Sequence, residues 1–372
     1  MMEDKEWYLA EDWLFWKLYQ AERKARKGKA MTRDVYLFEM NLMENLRQLT
    51  HDIWTGVYKP GRGIAFIIEK PVVREIFAAP FRDRIVHHFL YDMIYDWWDK
   101  RLINDSYSCR KGKGAIYGIE RLKKYIRSTS CNYTVPTYVL KLDIKGYFMS
   151  LRHEKLYERV CWGLARQYKD NPKTRKLLEY LWREVIFDKP CEGVKIRGSW
   201  ADWKKLPREK SLFCQAPGVG IVIGNLSSQL LSNIYLDLLD RYITFELGCK
   251  TYGRYVDDFY IVVSEKDRKR LLADVPKIER FLKEEMDLIL HPRKRYFQEV
   301  HKGVEFLGAV VYLFHTVPTR RFKNNFCKNL AEVGMGYRDV AAVTSYLGRL
   351  KHMNGKKLAY RVFEQMGWWY NY

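Results

Sequence analysis

Three aspartates dominate the chemistry this 372-residue chain could perform. Asp257 and Asp258 follow Thr251-Tyr252-Gly253-Arg254-Tyr255-Val256 and precede Phe259-Tyr260-Ile261-Val262-Val263, so apolar runs flank an acidic pair. That pattern predicts a hairpin over 251–264 with the acids in its tight turn. Asp143 closes a separate apolar run, Tyr138-Val139-Leu140-Lys141-Leu142. Turn chemistry alone favours Asp, so each acid taken singly could be an ordinary turn or surface residue. Two strand ends side by side in one sheet would gather the three carboxylates, and such a cluster repels itself unless a cation sits within it. Hard oxygen ligands of this type suit Mg²⁺, which keeps waters and phosphates in its remaining positions. A pair of such ions activates an attacking hydroxyl and stabilises a leaving pyrophosphate. Phosphoryl transfer then asks the protein for little beyond positioning and charge.

The elements that must position these acids follow from periodicity and breakers. Helices are expected over 6–24 and 33–50, the second opened by Thr32, then a loop over 58–63 and short strands over 64–69 and 73–78. A helix over 82–100 carries Ile85, Phe89, Met93 and Trp97 at four-residue spacing. A Gly- and Lys-containing loop, 106–114, precedes a helix over 115–127, and the strand 137–143 ends on Asp143. Two helices occupy 153–187, and a Gly- and Pro-rich stretch over 188–220 has room for a short hairpin. A long helix spans 225–246 and another 266–287, strands run over 294–300 and 304–313, and a basic helical tail covers 320–372. Helices, then mixed strands and helices, then a helical tail make the fold class α+β rather than alternating βαβ.

Composition narrows the partners. Sixty-six Lys and Arg against forty-five Asp and Glu leave a formal charge of +21. A surface of that sign favours a polyanion, with nucleic acid first and an anionic membrane as the rival. The polar N-terminus carries no signal-peptide pattern, and no uninterrupted apolar run is long enough to span a bilayer. Seven cysteines include no CxxC pair, which predicts reduced thiols in a cytoplasmic setting and no zinc knuckle. Aromatic residues make up 15% of the chain, many beside basic ones, a mixture that suits base stacking and buried amphipathic helices alike.

The motifs resemble those of reverse transcriptases. Tyr255-Val256-Asp257-Asp258 is similar to the YxDD box, and Asp143-Ile144-Lys145-Gly146-Tyr147-Phe148 to the first carboxylate motif. Gly224-Asn225-Leu226-Ser227-Ser228-Gln229 and the helix after it resemble the intervening motif. Gly303-Val304-Glu305-Phe306-Leu307-Gly308 resembles the primer-grip turn. The resemblance runs in order from about 64 to 315. Group II intron enzymes carry Gln before the motif Gly and Pro after the Ser, where this chain has Ile223 and Gln229. Ile-Gly-x-x-x-Ser-Gln, the stretch Arg74–His88 and the stretch Asp105–Gly114 resemble the reverse transcriptases of diversity-generating retroelements.

The resemblance implies an RNA-directed DNA polymerase that copies a template-repeat RNA into cDNA with frequent errors at adenine, for mutagenic retrohoming into a target gene. It implies a right-hand fold: an N-terminal helical extension over 1–54, fingers over 55–136, and a palm over 137–317 whose antiparallel sheet packs on helices. A further insert lies at about 150–220, and 318–372 forms a helical thumb with a basic face for the duplex. Asp143, Asp257 and Asp258, with the Ile144 carbonyl, would hold two Mg²⁺ ions, Mn²⁺ being able to substitute. Lys294, between Arg293 and Arg295, would protonate the leaving pyrophosphate. Lys70 and Arg74 would take the triphosphate. Phe148 would exclude a ribose 2′-hydroxyl, and Ile223, Gly224 and Gln229 would border the nascent base pair. Arg110, Lys111, Tyr255, Phe306, Leu307 and Gly308 would contact template or primer. Partners would be template RNA, the cDNA/RNA hybrid, deoxynucleoside triphosphates and a pentameric basic accessory variability protein, with no membrane, for a cytoplasmic enzyme that is prokaryotic or phage-encoded. The alternatives are a retron or phage-defence reverse transcriptase, or a non-catalytic nucleic-acid-binding scaffold.

Overall fold

The computed structural model describes residues 11–28, 31–69, 72–337 and 339–360. The elements begin with α1 (Glu11–Arg26), α2 (Arg33–Met40), α3 (Leu42–Trp54), β1 (Ile64–Ile68), β2 (Arg74–Ala78), α4 (Phe81–Arg101) and α5 (Ala115–Thr129). There follow β3 (Thr137–Asp143), α6 (Tyr147–Ser150), α7 (His153–Gln167), α8 (Pro172–Ile186), β4 (Lys195–Ile196) and α9 (Leu226–Arg241). The last are β5 (Tyr252–Tyr255), β6 (Asp258–Ser264), α10 (Arg268–Met286), β7 (Tyr296–Glu299), β8 (Val304–Phe306), β9 (Ala309–Val311), β10 (Thr316–Pro318), α11 (Arg320–Gly334) and α12 (Ala341–Leu350). These are α+β, in two compact units.

The first unit takes the chain up to Ile103, Gly146–Asp240 and Leu282–Leu288. Its α4 and α9 are apolar on several faces and sit inside the helical layer, α4 burying Ile85, Phe89, Ile94 and Trp98. Gly163 of α7 lets that helix press on the Trp98 ring, which an added Cβ would meet at 2.7 Å. Of the two acids that α9 buries, Asp237 and Asp240, Asp237 accepts from Arg159 at 2.9 Å. A small sheet, β2-β1-β4, pairs β1 with β2 antiparallel and with β4 parallel.

Two expectations fail in this unit. The single helix over 33–50 is two helices, because Asn41 leaves helical geometry at φ −125°, ψ 47° and the chain restarts at Leu42. The 188–220 stretch holds no hairpin. It winds through three short 3₁₀ turns, and its two-residue strand joins β1 instead. The organiser is Glu75, whose buried carboxylate accepts from Trp203 Nε1 at 2.6 Å, Ser211 Oγ at 2.7 Å and the Leu212 amide at 2.6 Å. A buried carboxylate needs its lone pairs met, and here a loop with no ladder of its own meets them.

The second unit takes Asn104–Lys145, Arg241–Phe281 and the chain from Ile289. Its centre is an antiparallel sheet of order β5-β6-β3-β7. Ile119, Leu122 and Ile126 of α5 cover one face, packing with Val139, Tyr260 and Val262. Each such side chain removed from water is worth about 1.5–3 kcal/mol, and this layer fixes the strands' register. The expected strand 304–313 is in fact a hairpin, β8–β9, because Leu307 (φ +49°) and Gly308 (φ +81°) form a two-residue turn. The expected helix 225–246 ends at Arg241 and closes in a π turn over Tyr242–Glu246. Phe322, Phe326 and Leu330 of α11 pack on Val343 and Leu347 of α12. Among the described residues no helix is long and apolar enough to cross a membrane.

Candidate active site

Strand pairing brings the three aspartates to one end of the second unit's sheet. β3 and β6 run antiparallel with Asp143 opposite Asp258, and Tyr255 lies opposite Asp258 across the β5–β6 turn. Beyond β3 the chain is clamped on both sides. The Ile144 amide donates to the Asp257 carbonyl at 3.2 Å, and the His291 amide donates to the Asp143 carbonyl at 2.7 Å. Val256, in the turn, has φ +57°. A β-branched residue in that region is strained by about 1–2 kcal/mol, and the surroundings hold it there. Arg254, completely buried, donates to the Val256 carbonyl at 3.0 Å and to Ser106 Oγ at 3.1 Å.

The carboxylates meet two lysines. Lys294 Nζ reaches both oxygens of Asp143, at 3.0 and 2.9 Å. Its neighbours go elsewhere, since Arg295 pairs with Glu279. Lys141 Nζ lies 3.4 Å from Asp258 and donates to the Glu305 carbonyl at 2.7 Å. Asp257 makes no ion pair among the described residues. Burial, then the charge of Asp143, pushes its carboxyl up to about 6, while burial raises that of Asp258.

Whether such a site fits divalent cations is decided by donors and charge. The donors are hard oxygens on two adjacent strand ends, and carboxyls held above their usual pKa are what an uncompensated cluster shows where a cation belongs. As placed, the side chains do not converge. Among the described residues no three His, Cys, Asp or Glu side chains are arranged to hold a metal ion, and both oxygens of Asp143 are engaged by Lys294. The set fits by chemistry, and Asp143 must turn away from Lys294 to join it.

The other expected site residues divide between the units. In the first, Phe148 and Ile223 belong to one apolar cluster with Phe77 and Met149. The Ile221 amide donates to the Phe148 carbonyl at 2.9 Å, and the Phe77 amide to the Ile223 carbonyl at 3.1 Å. Gly224 has φ +139°, and a Cβ there would stand 2.6 Å from the Phe77 carbonyl oxygen, so only glycine fits. Arg74 is exposed on β2 and Gln229 exposed on α9, while Lys70 lies outside the described residues. In the second unit, Lys111 is exposed and Tyr255 half-buried.

Two residues read as nucleic-acid contacts are not surface groups. Arg110 is buried and donates to the Ser106 carbonyl at 3.1 Å, bracing its own loop. Phe306 is fully buried, its ring 5.0 Å from that of Tyr260, because the β8–β9 pleat turns it inward. Only Leu307 and Gly308 reach the turn, where Arg349 donates to the Leu307 carbonyl. Lys141 escaped the sequence reading. Its one signal was a charge inside the apolar run that ends at Asp143.

The family profile described as reverse transcriptase (RNA-dependent DNA polymerase) matches residues 70–311, and the chain belongs to that family. The domain is thus that of an RNA-directed DNA polymerase, with the right-hand fold of that class. Protein YkfC of Escherichia coli (strain K12) is 22% identical over 305 residues, spanning 73% of this chain and 72% of its own. Telomerase from Candida albicans, solved with a TWJ fragment of telomeric RNA, aligns at TM-score 0.50 and 12% identity over 91% of this chain. Apo telomerase from Candida tropicalis aligns at 0.45 and 14% over 82%. The chain spans 60% and 58% of those two telomerase chains.

Proposed function

We propose that this chain copies an RNA template into DNA, and that it is the polymerase of a diversity-generating retroelement. The observation that carries the polymerase reading is the pairing of Asp143 with Asp258 across β3 and β6, beside a turn that holds Asp257. Asp143 and Asp257 would hold two Mg²⁺ ions, with Asp258 and the Ile144 carbonyl in support. When bound, those ions polarise the phosphoryl oxygens and lower the pKa of the attacking hydroxyl. The protein's own groups do the rest. Lys294 moves from Asp143 to the leaving pyrophosphate and gives it a proton. Arg74, with Lys70, pairs with the triphosphate through its fork. Phe148 leaves no room for a 2′-hydroxyl. We read 55–136 as fingers, 137–317 as palm with a further insert at about 150–220, and 318–372 as thumb. The partners are template RNA, its cDNA hybrid, deoxynucleotides and a basic pentameric accessory protein.

Primer extension on an RNA template with Mg²⁺ tests the polymerase. Lys294→Ala separates two roles within it. Loss of the acid should lower the saturating single-turnover rate about a hundredfold. Release of Asp143 should lower the Mg²⁺ concentration for half-maximal rate. An unchanged saturating rate would remove the acid role.

The subtype rests on Ile223 where intron enzymes carry Gln, and on Gln229 after Ser228. Ile223 lacks an amide that could check the nascent pair, and one such contact is worth about 1 kcal/mol. Ile223→Gln should therefore lower misincorporation at template adenines roughly fivefold, read by sequencing the cDNA. Wild-type cDNA without excess errors at adenine would reassign the chain to another kind of prokaryotic reverse transcriptase.

A further inference from the structure

Behind the sheet, in the second unit, α5, the turn after it, the loop between β9 and β10 and the segment after α12 enclose a basic and aromatic groove. Two connected hollows of about 720 and 610 Å³ share Glu120, Lys123 and Tyr133. Lys124, Arg127, Lys356 and Lys357 line them, and the one acid, Glu120, is already held by Lys123 at 2.8 Å. Lys124, Lys356 and Lys357 are exposed and form no ion pair among the described residues. The net charge of the lining is strongly positive and calls for a polyanion.

The rings say which kind. Phe314 is 79% exposed, and its ring stands 4.8 Å from that of Tyr133. Beside them Tyr312 and His315 stack at 4.7 Å. Tyr133 is delivered by an unusual turn: Cys131, Asn132 and Tyr133 all have positive φ, at +50°, +58° and +72°. L side chains rarely adopt that conformation. It is pinned here by Asn132 N to the Arg127 carbonyl at 2.9 Å, Tyr133 N to Ser130 Oγ at 2.8 Å and Arg127 Nε to Asn132 Oδ1 at 2.8 Å. Exposed ring faces among cations are the means by which proteins hold unpaired bases and their phosphates, whereas a duplex keeps its base faces stacked. The groove is also distant from the carboxylates. Tyr133 precedes β3, and Asp143 ends it, so the whole strand, about 20 Å at 3.3 Å per residue, lies between them.

We infer that this groove binds a single-stranded segment of RNA while the catalytic site holds a template–primer duplex. The choice of RNA over DNA rests on the polymerase reading above. The choice of an unpaired strand rests on the rings and charges alone.

The test uses the full-length protein loaded with unlabelled template–primer duplex and no nucleotides, then given labelled single-stranded RNA of mixed sequence. Photocrosslinks should map to Tyr133 and Phe314. Phe314→Ala should weaken binding about tenfold, the effect of one lost base stack. Lys124→Ala should reduce the slope of log affinity against log salt by about 0.7, the share of one phosphate contact. Both positions are exposed, so both variants should melt as wild type and extend a short primer at the wild-type rate. No crosslink in the groove, unchanged affinity of Phe314→Ala, or equal binding of duplex RNA or single-stranded DNA would each overturn the inference. A wild-type protein that binds here yet makes no DNA would instead sink the polymerase reading.

Discussion

Asp257→Asn should abolish DNA synthesis, by at least about a thousandfold, and at the same time make the metal-free protein more stable at neutral pH. The first effect follows from losing a ligand charge to ions whose stabilisation of the reacting phosphate is worth several kcal/mol. The second follows from the site's electrostatics. Burial, with Asp143 second and Asp258 a smaller contributor, lifts the Asp257 carboxyl from its usual 3.8 to about 6. Between those values the folded chain holds a proton that the unfolded chain releases. Stability from this group is therefore complete below pH 4 and is lost as pH rises through 6. Asparagine has no charge to lose. Without divalent ions, the variant should melt above the wild type at pH 7.5 and together with it near pH 4. Mg²⁺ should raise the wild-type melting temperature at pH 7.5, much less at pH 5, and the variant's hardly at all. Thermal melts with chelator or Mg²⁺, beside primer extension, read all of this. An active variant, or a wild type indifferent to Mg²⁺ at pH 7.5, would refute the metal assignment.

The parts legible in the sequence are those with local causes. Apolar runs that end on acids gave β3 and the β5–β6 hairpin their limits, since a strand of Tyr138-Val139-Leu140 type needs a polar residue to leave the core. Gly224 was legible only as a member of a motif; that its position admits glycine alone is set by the Phe77 carbonyl, far away in sequence. What stayed hidden depends on register and on distant partners. Lys141 faces Asp258 only because β3 pairs with β6 as it does, and meets the Glu305 carbonyl only because β8 folds back. Arg110 looked like a loop cation, and Phe306 like part of an exposed turn. Burial of each is decided by Ser106 and by the pleat of β8, which no spacing rule reaches. The 188–220 stretch has no period at all, because Glu75, on another element, sets its course.

Asp105→Ala should destabilise the second unit by about 3 kcal/mol, the lower range for removing one partner of a largely buried ion pair. Arg121 grips the Asp105 carboxylate at 2.6 and 2.9 Å, Tyr125 donates to it at 2.7 Å and Tyr107 at 2.9 Å, and Tyr107 in turn shares a 2.8 Å bond with Tyr260. Removing the carboxylate leaves the guanidinium of Arg121, the phenol of Tyr125 on α5 and the phenol of Tyr107 in the loop before it without their acceptor. The consequence reaches the active site through the backbone. The Arg254 amide donates to the Asp105 carbonyl at 2.8 Å, the Tyr107 amide to the Arg254 carbonyl at 2.9 Å, and Arg254 then carries the strained Val256 turn beside Asp257. Asp105→Asn keeps the shape and one acceptor, so it should fall between alanine and wild type. The loss should appear as a melting temperature lower by roughly 6–12 °C. Synthesis at 20 °C should survive, because the carboxylates themselves are untouched while the unit is folded. Steep thermal inactivation with a near-normal rate in the cold marks Asp105 as a support. An Asp105→Ala protein that melts like the wild type would mean that the turn carrying Asp257 and Asp258 is held by the sheet alone.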